Sequence, residues 1–243
     1  MPIRLLSFLA FLILWEAVGD LVHDRTLPAA SSVLTAMWQE TADGALIANL
    51  AITLARVAAA FSAAMIAGTI VGIAMGRSRR LDAVFDSWLT ILLNLPALVL
   101  IVLIYIWFGL TELSIILAVA LNKLPSTAVI VREGARSVDR DLMDMAASFR
   151  LSRMKTLRHV FLPQLYPYLV AAARSGLALI WKIVMVAELL GRSSGIGFQI
   201  ETYFQLFDVT RILAYSLAFI MVIQLVEWGI LQPLERRISW SRA

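Results

Sequence analysis

The stretch Ala97 to Phe108, ALVLIVLIYIWF, is a run of twelve consecutive apolar or aromatic residues without a charge. Similar runs recur along the chain, which has 243 residues, of which 60% are hydrophobic and 16% charged. A helix needs about 20 mostly apolar residues to cross a bilayer, whereas barrel strands alternate polar and apolar residues over shorter stretches. The runs therefore predict an all-α integral membrane protein.

We predict six transmembrane helices in a single domain that covers residues 1–243. Their expected bounds are Ile3 to Val22, Ile52 to Met75, Ala83 to Phe108, Leu113 to Val131, Tyr168 to Leu190 and Ile212 to Leu231. The first also resembles a secretory signal, because Arg4 precedes an apolar run and then Ala17-Val18-Gly19; both readings stay open. Pro96 and Pro125 are expected to be tolerated inside spans as bends.

The positive charges lie mainly between alternate spans. Fourteen of the 21 Lys and Arg residues share one side if the N-terminus is cytoplasmic, and only Arg25, Arg192 and Arg211 lie in segments of the opposite side. Because cytoplasmic loops are enriched in Lys and Arg, this predicts a bacterial inner-membrane protein with both termini in the cytoplasm. The net charge of +4 then reflects topology and contact with membrane lipids, and we expect no nucleic-acid partner.

Several kinds of site are not expected in this chain. It has no cysteine, and its two histidines, His23 and His159, lie in different predicted loops, which argues against a metal centre. No nucleophile–base pair is evident. The G-x-x-x-x-G-K-[ST] pattern of a phosphate-binding loop is also absent, so ATP has to bind elsewhere. We therefore expect a transport subunit with no catalytic residue, no metal and no cofactor of its own.

A short amphipathic helix is predicted between the first two spans. Ser31 or Ser32 is a suitable N-cap residue for it. Its apolar residues are Val33, Leu34, Met37 and Trp38. An interfacial anchor is the simplest role for this helix, although a binding role stays open.

The longest basic loop, residues 132–166, carries two further helical patterns. Asp141 is the expected cap of the first, with Asp144 in the position of a capping-box acid. Its apolar face comprises Leu142, Met145, Ala146 and Phe149. A helix of about two turns is not stable alone, so it has to rest on another surface.

The second helical pattern of this loop is capped by Ser152. Its face comprises Met154, Leu157, Val160 and Phe161. Pro163 and Pro167 are expected to interrupt it. Two short helices with apolar faces and a basic rim suit either a groove on a protein or anionic lipid headgroups, and the pattern alone does not distinguish these.

A family resemblance favours the protein groove. Asp144-Met145-Ala146-Ala147-Ser148-Phe149-Arg150, nine further residues and Val160-Phe161-Leu162-Pro163 resemble the Glu-Ala-Ala loop of binding-protein-dependent ABC importer permeases. That family's pattern is Glu-Ala-Ala, three residues, Gly, nine residues, Ile, one residue and Leu-Pro. The spacing is intact here, but Asp144 replaces the Glu and Arg150 replaces the Gly.

The resemblance extends over nearly the whole chain. Its other motifs are Leu27-Pro28 through Val33-Leu34, Trp107-Phe108-Gly109, Ala187-Glu188-Leu189-Leu190-Gly191 and Ser193-Ser194-Gly195-Ile196-Gly197, as in the nitrate, sulfonate and taurine branch. It implies a homodimer of six-helix subunits, two cytoplasmic ATPase subunits that bind ATP and Mg, and a periplasmic solute-binding protein. The implied cargo is a small, anionic solute. The residues implied to contact the ATPase are Asp141, Leu142, Asp144, Met145, Ala146, Phe149 and Arg150.

Arg150 raises a question of backbone conformation. If the turn at the family's glycine is left-handed, a residue with a Cβ costs roughly 1–2 kcal/mol there. Either this turn has another conformation or contacts with the partner offset the strain. The sequence leaves both open.

Two lysines lie near the middle of predicted spans. Charged residues at this depth usually face a cavity or a partner, so Lys123 and Lys182 either line a passage for an anionic solute or pair with a carboxylate of a neighbouring span or dimer mate. Glu188 lies six residues after Lys182 and is a poor intrahelical partner for it. Arg174 lies closer to the cytoplasmic end and is expected to snorkel.

Small residues suggest two further features. Gly68, Gly72 and Gly76 form a stripe expected to pack closely on another helix. The stretch Gly191 to Gly197 is either a flexible gate, a contact for the binding protein or an ordinary turn. As whole-protein alternatives, an ATP-independent transporter or channel and a membrane scaffold would explain the spans, but not the spacing of the basic loop.

Overall fold

A computed structural model of the chain describes residues 2–22 and 26–231, and every regular element among them is helical. The α-helices are α1 (Pro2–Val22), α2 (Ala30–Ala42), α3 (Ala45–Arg77), α4 (Arg79–Asn94), α5 (Ala97–Phe108), α6 (Glu112–Arg136), α7 (Arg140–Ser148), α8 (Arg153–Thr156), α9 (Leu162–Gly191), α10 (Ile196–Gln205) and α11 (Val209–Val226). Two π-helical turns occupy Leu157–Phe161 and Glu227–Leu231. His23, Arg25 and the basic residues after 231 lie outside the described residues.

Four helices among the described residues are long and apolar enough to cross a membrane. They are Ala45–Arg77, Glu112–Arg136, Arg153–Gly191 and Val209–Gly229. The pair formed by α4 and α5 raises the number to five if it is one broken span. The all-α membrane class is therefore confirmed at this level.

The predicted span Ala83 to Phe108 is divided between two helices, α4 and α5. The chain bends by 100° between α4 and α5. Leu95 has an extended conformation, with a ψ of 123°, because the residue before a proline is disfavoured in a helix. A bend at Pro96 was expected, and in the structure it separates two helices, whereas Pro125 remains inside α6.

The prediction that Pro163 and Pro167 interrupt the second loop helix is also wrong. Helical structure runs without a break from Arg153 to Gly191. The π turn at Leu157–Phe161 precedes Pro163, and the Leu162 amide donates to the carbonyl of Leu157, five residues earlier. A π turn inserts one extra residue into the hydrogen-bond ladder, which lets the chain accommodate a proline that cannot donate.

The chain divides into two compact units, and α3 and α9 contribute to both. The first unit comprises residues 1–55 and 185–227. In it, the Trp15 indole donates to the Pro28 carbonyl at 3.0 Å, and Val33 of α2 is fully buried. The predicted short amphipathic helix is therefore present and is packed against its own unit.

The start of α2 differs from the prediction. The helix begins at Ala30, and its N-cap residue, Ala29, provides no side-chain cap. The Ser31 amide donates instead to a carboxylate oxygen of Glu16 at 2.9 Å. The carboxylate of Glu16, distant in sequence, therefore accepts a hydrogen bond from the start of α2, as we expected a serine hydroxyl to do. A pattern of neighbouring residues does not reveal such a partner.

The second unit, which among the described residues comprises 56–184 and 228–231, contains the predicted glycine stripe. A Cβ added at Gly68 would lie 2.7 Å from Thr127, and one at Gly76 would lie 2.6 Å from Ala135. At Gly72, it would lie 2.6 Å from a carbonyl oxygen of α6. The stripe therefore lets α3 and α6 pack backbone against backbone, as predicted.

Candidate functional site

Helix α7 begins earlier than predicted. Its N-cap residue is Asp139, which accepts hydrogen bonds from the amides of Asp141 at 2.8 Å and Leu142 at 3.4 Å. Asp141 lies inside the first turn, so Asp144 is not at the capping-box position. The predicted cap was wrong because Asp139 and Asp141 are equally good cap residues and only the backbone path selects one.

The apolar residues of α7 and of its C-cap position are placed in two different environments. Leu142, Met145 and Phe149 are exposed to 40%, 46% and 74%. Ala146 is fully buried. The four predicted residues therefore separate into three exposed side chains, which we call the α7 face, and one alanine that packs into the chain's own interior.

Arg150 has the left-handed conformation that the sequence left open, with a φ of 50°. The Leu151 amide donates to the Ala146 carbonyl at 3.0 Å, and the Arg150 amide donates to the Ala147 carbonyl at 2.9 Å. These two bonds define a Schellman motif, in which glycine is the preferred residue at the position of Arg150. The arginine therefore stands in a strained backbone conformation at the end of α7.

The helix that follows α7 is attached firmly to the second unit. Ser152 caps α8, as predicted, and accepts from the Lys155 amide at 3.4 Å. Phe161 is only 3% exposed and packs in a core with Val131 and Leu165. The Arg77 guanidinium carbon lies 5.3 Å from the centre of the Phe161 ring. The exposed α7 face is therefore carried on a well-packed base.

Lys123 is buried, with 3% exposure. Its ammonium donates to the Ser175 hydroxyl at 3.4 Å. The side chain lies against Gly176, where an added Cβ would be 2.8 Å from the lysine Cε. No salt bridge joins Lys123 to a carboxylate of the described residues, so the carboxylate partner that we considered is not found among them.

Lys182, in contrast, is exposed on α9. The two lysines therefore have different surroundings, one inside its unit and one on its surface. Arg174, the third cation of these spans, is also exposed, and it has interaction partners of its own.

A polar network that the sequence analysis missed holds the turn before α10. The Gly195 amide donates to the Asn49 side chain at 2.7 Å, and the Ile196 amide donates to the Thr53 hydroxyl at 2.9 Å. The Gly197 amide donates to a Glu188 carboxylate oxygen at 2.9 Å. Helix α10 is therefore capped by side chains distant in sequence.

The centre of this turn network is the carboxylate of Glu188. Glu188 and Thr53 are fully buried, and the Thr53 hydroxyl lies 2.9 Å and 3.0 Å from the two carboxylate oxygens. A Cβ at Gly195, whose φ is 104°, would lie 2.4 Å from this carboxyl group. The spacing of Asn49 and Thr53, four residues apart in an apolar helix, was the signal for this network.

A second cluster in the same unit surrounds Glu40 of α2. Its carboxylate accepts from the hydroxyls of Tyr203 at 3.1 Å and Tyr215 at 2.8 Å. It also accepts from the Arg211 guanidinium at 2.9 Å. Burial raises the pKa of Tyr203, and the negative charge of Glu40 adds to this effect. The cluster ties α2 to α10 and α11.

Comparison with known families identifies the main part of the chain. Residues 64–232 match the model of the family described as binding-protein-dependent transport system inner membrane component. The matched region includes α7, the bend between α4 and α5, and the turn network's Glu188.

Two characterised relatives resemble nearly the full chain. The taurine transport system permease protein TauC of Escherichia coli (strain K12) is 30% identical over 94% of this chain and 85% of its own length. The bicarbonate transport system permease protein CmpB of Synechococcus elongatus is 27% identical over 97% of this chain and 86% of its own length.

Solved structures support the same fold. The MetNI methionine ABC transporter matches with a TM-score of 0.69 and 17% identity, over 80% of this chain and 98% of that chain. An amino acid ABC transporter matches with a TM-score of 0.65 and 20% identity, over 82% and 96%. At these identities the likeness concerns the fold alone.

Proposed function

The chain belongs to the family of binding-protein-dependent transport system inner membrane components, and from this premise we propose that it passes a small anionic solute from a periplasmic binding protein to the cytoplasm. It is an ABC importer permease, a transport subunit and not an enzyme. The proposed solute class is a sulfonate, nitrate, taurine or a carboxylate-like anion, in line with the names of the relatives for taurine and bicarbonate.

We propose six membrane crossings with both termini in the cytoplasm. Four crossings are the long apolar helices, the bent pair of α4 and α5 supplies a fifth, and α1 supplies the sixth. The enrichment of Lys and Arg in alternate segments supports this orientation. It brings α7 and α8 to the cytoplasmic side, where a soluble partner can reach them.

The exposed α7 face is the observation that carries the proposed coupling to an ATPase. Leu142, Met145 and Phe149 are large apolar side chains that a helix without a partner would leave in water. Their burial in a groove of a cytoplasmic ATPase would be favourable by about 1.5–3 kcal/mol for each fully covered side chain. Asp141, Asp144 and Arg150 would border this contact, and the buried Ala146 would hold α7 on its base.

In the proposed mechanism, two ATPase subunits bind ATP and Mg, and two copies of this chain form the passage. Closure of the ATPase pair moves the α7 face. Because packed contacts are stiff, the movement passes through the buried Phe161 to the attached spans as a rigid-body displacement. The single chain therefore contributes mechanical coupling and the path of the solute, while ATP hydrolysis occurs on its partners.

The test of coupling is Phe149→Ala in proteoliposomes that contain the permease, its ATPase and its binding protein. We expect substrate uptake to fall about tenfold or more while ATP hydrolysis continues, because losing a buried aromatic anchor costs 2 kcal/mol or more at an interface. The matched control is Phe204→Ala, since Phe204 is similarly exposed at 68% but lies on α10. Unchanged ATP-driven uptake by Phe149→Ala would show that this assignment is wrong.

The two lysines are proposed to favour an anion along the passage. Lys123 is buried among packed helices, so it would become available only when those helices separate, whereas Lys182 is exposed in the single chain. We expect Lys182→Met to lower uptake of the cognate anion with ATP hydrolysis maintained. Equal uptake by the variant and the wild type would favour the other reading, in which the lysine pairs with a dimer mate's carboxylate.

A further inference from the structure

A cleft of about 760 Å³ lies beside α7, at the ends of α3 and α6. Its lining includes four arginines, which are Arg77, Arg79, Arg136 and Arg140, and one carboxylate, Asp82. The rest of the lining is mainly apolar. The cleft therefore combines an excess of positive charge with an apolar floor.

The charges of this cleft are only partly neutralised within the chain. Asp82 is shared by Arg132 and Arg136, and the Arg132 guanidinium also binds Asp86 at 2.5 Å. Arg79 and Arg140 are exposed and form no salt bridge with the described residues. Arg77 lies over the Phe161 ring, which leaves its guanidinium free to bind an oxyanion as well. Three guanidinium groups are thus available to an anionic ligand.

The apolar floor indicates which anion fits. Val138 and Met143 line the cleft with partly exposed side chains, while Met75 and Phe161 are almost fully buried behind them. A free inorganic anion would gain nothing from these side chains, whereas the glycerol and upper acyl carbons of a lipid would cover them. Basic pockets at the cytoplasmic ends of membrane helices are suited to anionic headgroups.

We propose that this cleft binds the headgroup phosphate of an anionic phospholipid. The guanidinium groups of Arg79 and Arg140 contact the phosphate, and the apolar floor contacts the lipid's glycerol end. The proposal rests on the cytoplasmic orientation given under Proposed function. A lipid bound here would touch Met143 of α7 and Arg79 of α4 together, and so would brace α7 against the bundle.

The test counts lipids retained by the purified permease–ATPase complex. Native mass spectrometry is applied after release from nanodiscs that contain phosphatidylglycerol and phosphatidylcholine in equal amounts. We expect the wild type to retain phosphatidylglycerol preferentially. The double variant Arg79→Gln and Arg140→Gln should lower the phosphatidylglycerol to phosphatidylcholine ratio by roughly tenfold.

The matched control is Arg80→Gln. Arg80 is exposed and adjacent to Arg79 but does not line the cleft. The proposal is supported if this control retains phosphatidylglycerol as the wild type does and the double variant loses it. An equal loss in the control would overturn it, because a general surface charge would then explain the preference.

Two further outcomes would also overturn the proposal. One is displacement of phosphatidylglycerol by millimolar inorganic phosphate, which would show that the cleft takes a free anion. The other is loss of the ATPase from the double variant with lipid retention unchanged, which would assign the arginines to the protein partner. Lipid retention is measured without substrate uptake. A negative result for lipid binding can therefore be distinguished from a negative result of the Phe149→Ala test.

Discussion

The turn network before α10 and the α7 face are both short segments next to helix ends, but the surroundings of their side chains are opposite. At the turn before α10, three successive amides donate to Asn49, Thr53 and Glu188, and the last two of these residues are fully buried. At α7, the large apolar side chains are exposed, and the terminal residue, Arg150, has a left-handed backbone. The first element has its hydrogen-bonding groups satisfied by its own chain, whereas the second leaves large apolar side chains exposed.

This difference predicts which substitutions change the stability of the permease and which change its proposed coupling to an ATPase. Substitutions in the turn network should change the stability of the permease itself, because they leave buried donors without acceptors. Substitutions on the α7 face should leave the isolated chain almost unchanged and act on the assembled transporter.

The largest effect is expected for Glu188→Ala. The substitution leaves the Thr53 hydroxyl and the Gly197 amide without their carboxylate acceptor in a buried site. We expect a loss of about 2–4 kcal/mol in the free energy of unfolding, since each unsatisfied buried group costs about 1–3 kcal/mol. The unfolding temperature in detergent, monitored by size-exclusion chromatography, measures this change.

Glu188→Gln is the control for that experiment. It keeps one acceptor oxygen and nearly the same shape, so we expect a smaller loss than for the alanine variant. If Glu188→Ala unfolds at the wild-type temperature, the network does not stabilise the turn and the contrast with α7 disappears.

A gain in stability is expected for Arg150→Gly. Glycine adopts the left-handed conformation without the penalty of a Cβ, so the variant should gain about 1 kcal/mol. A higher unfolding midpoint of the permease in detergent is the measurement. The control is Lys155→Gly in α8, where a helical position predicts a loss of up to about 1 kcal/mol. A drop in stability for Arg150→Gly would mean that the arginine side chain makes compensating contacts.

The smallest change in stability is expected for Met145→Ser. Met145 is 46% exposed, and exposed substitutions usually change stability by less than about 0.5 kcal/mol. Coupled uptake in proteoliposomes should nevertheless fall. Its neighbour Ala146 is fully buried, so Ala146→Leu should destabilise the chain by about 1–3 kcal/mol through overpacking. Similar melting of both variants would show that the two positions do not differ as the structure indicates.

The features predicted correctly depend on composition and on local spacing. The apolar runs predicted the helical membrane class, the glycines four residues apart predicted close packing of α3, and Ser152 was recognised as a helix cap. Each of these signals acts within one or two helical turns. The family's loop spacing likewise lies within one segment, and it identified the family that the comparison confirmed.

The features predicted wrongly or only in part depend on competition between local alternatives. Asp139 and Asp141 are both capable caps, and the backbone path selected Asp139. Pro96 and Pro163 are both prolines in apolar surroundings, but the first ends a helix while the second follows a π turn that preserves one. The local energies that distinguish such alternatives are small, so packing elsewhere in the chain decides between them.

By itself, the sequence determined that the chain is built of membrane helices, which segment offers an apolar face and at which residue the family's glycine is replaced. These follow from hydrophobicity and spacing, which are properties of neighbouring residues. Only the tertiary structure decided that Glu188 joins Asn49 and Thr53 at one turn, that Ala146 is buried while Phe149 is exposed, and that Arg150 is left-handed. Contacts between residues more than a hundred positions apart depend on how the helices pack, and no local pattern contains that information.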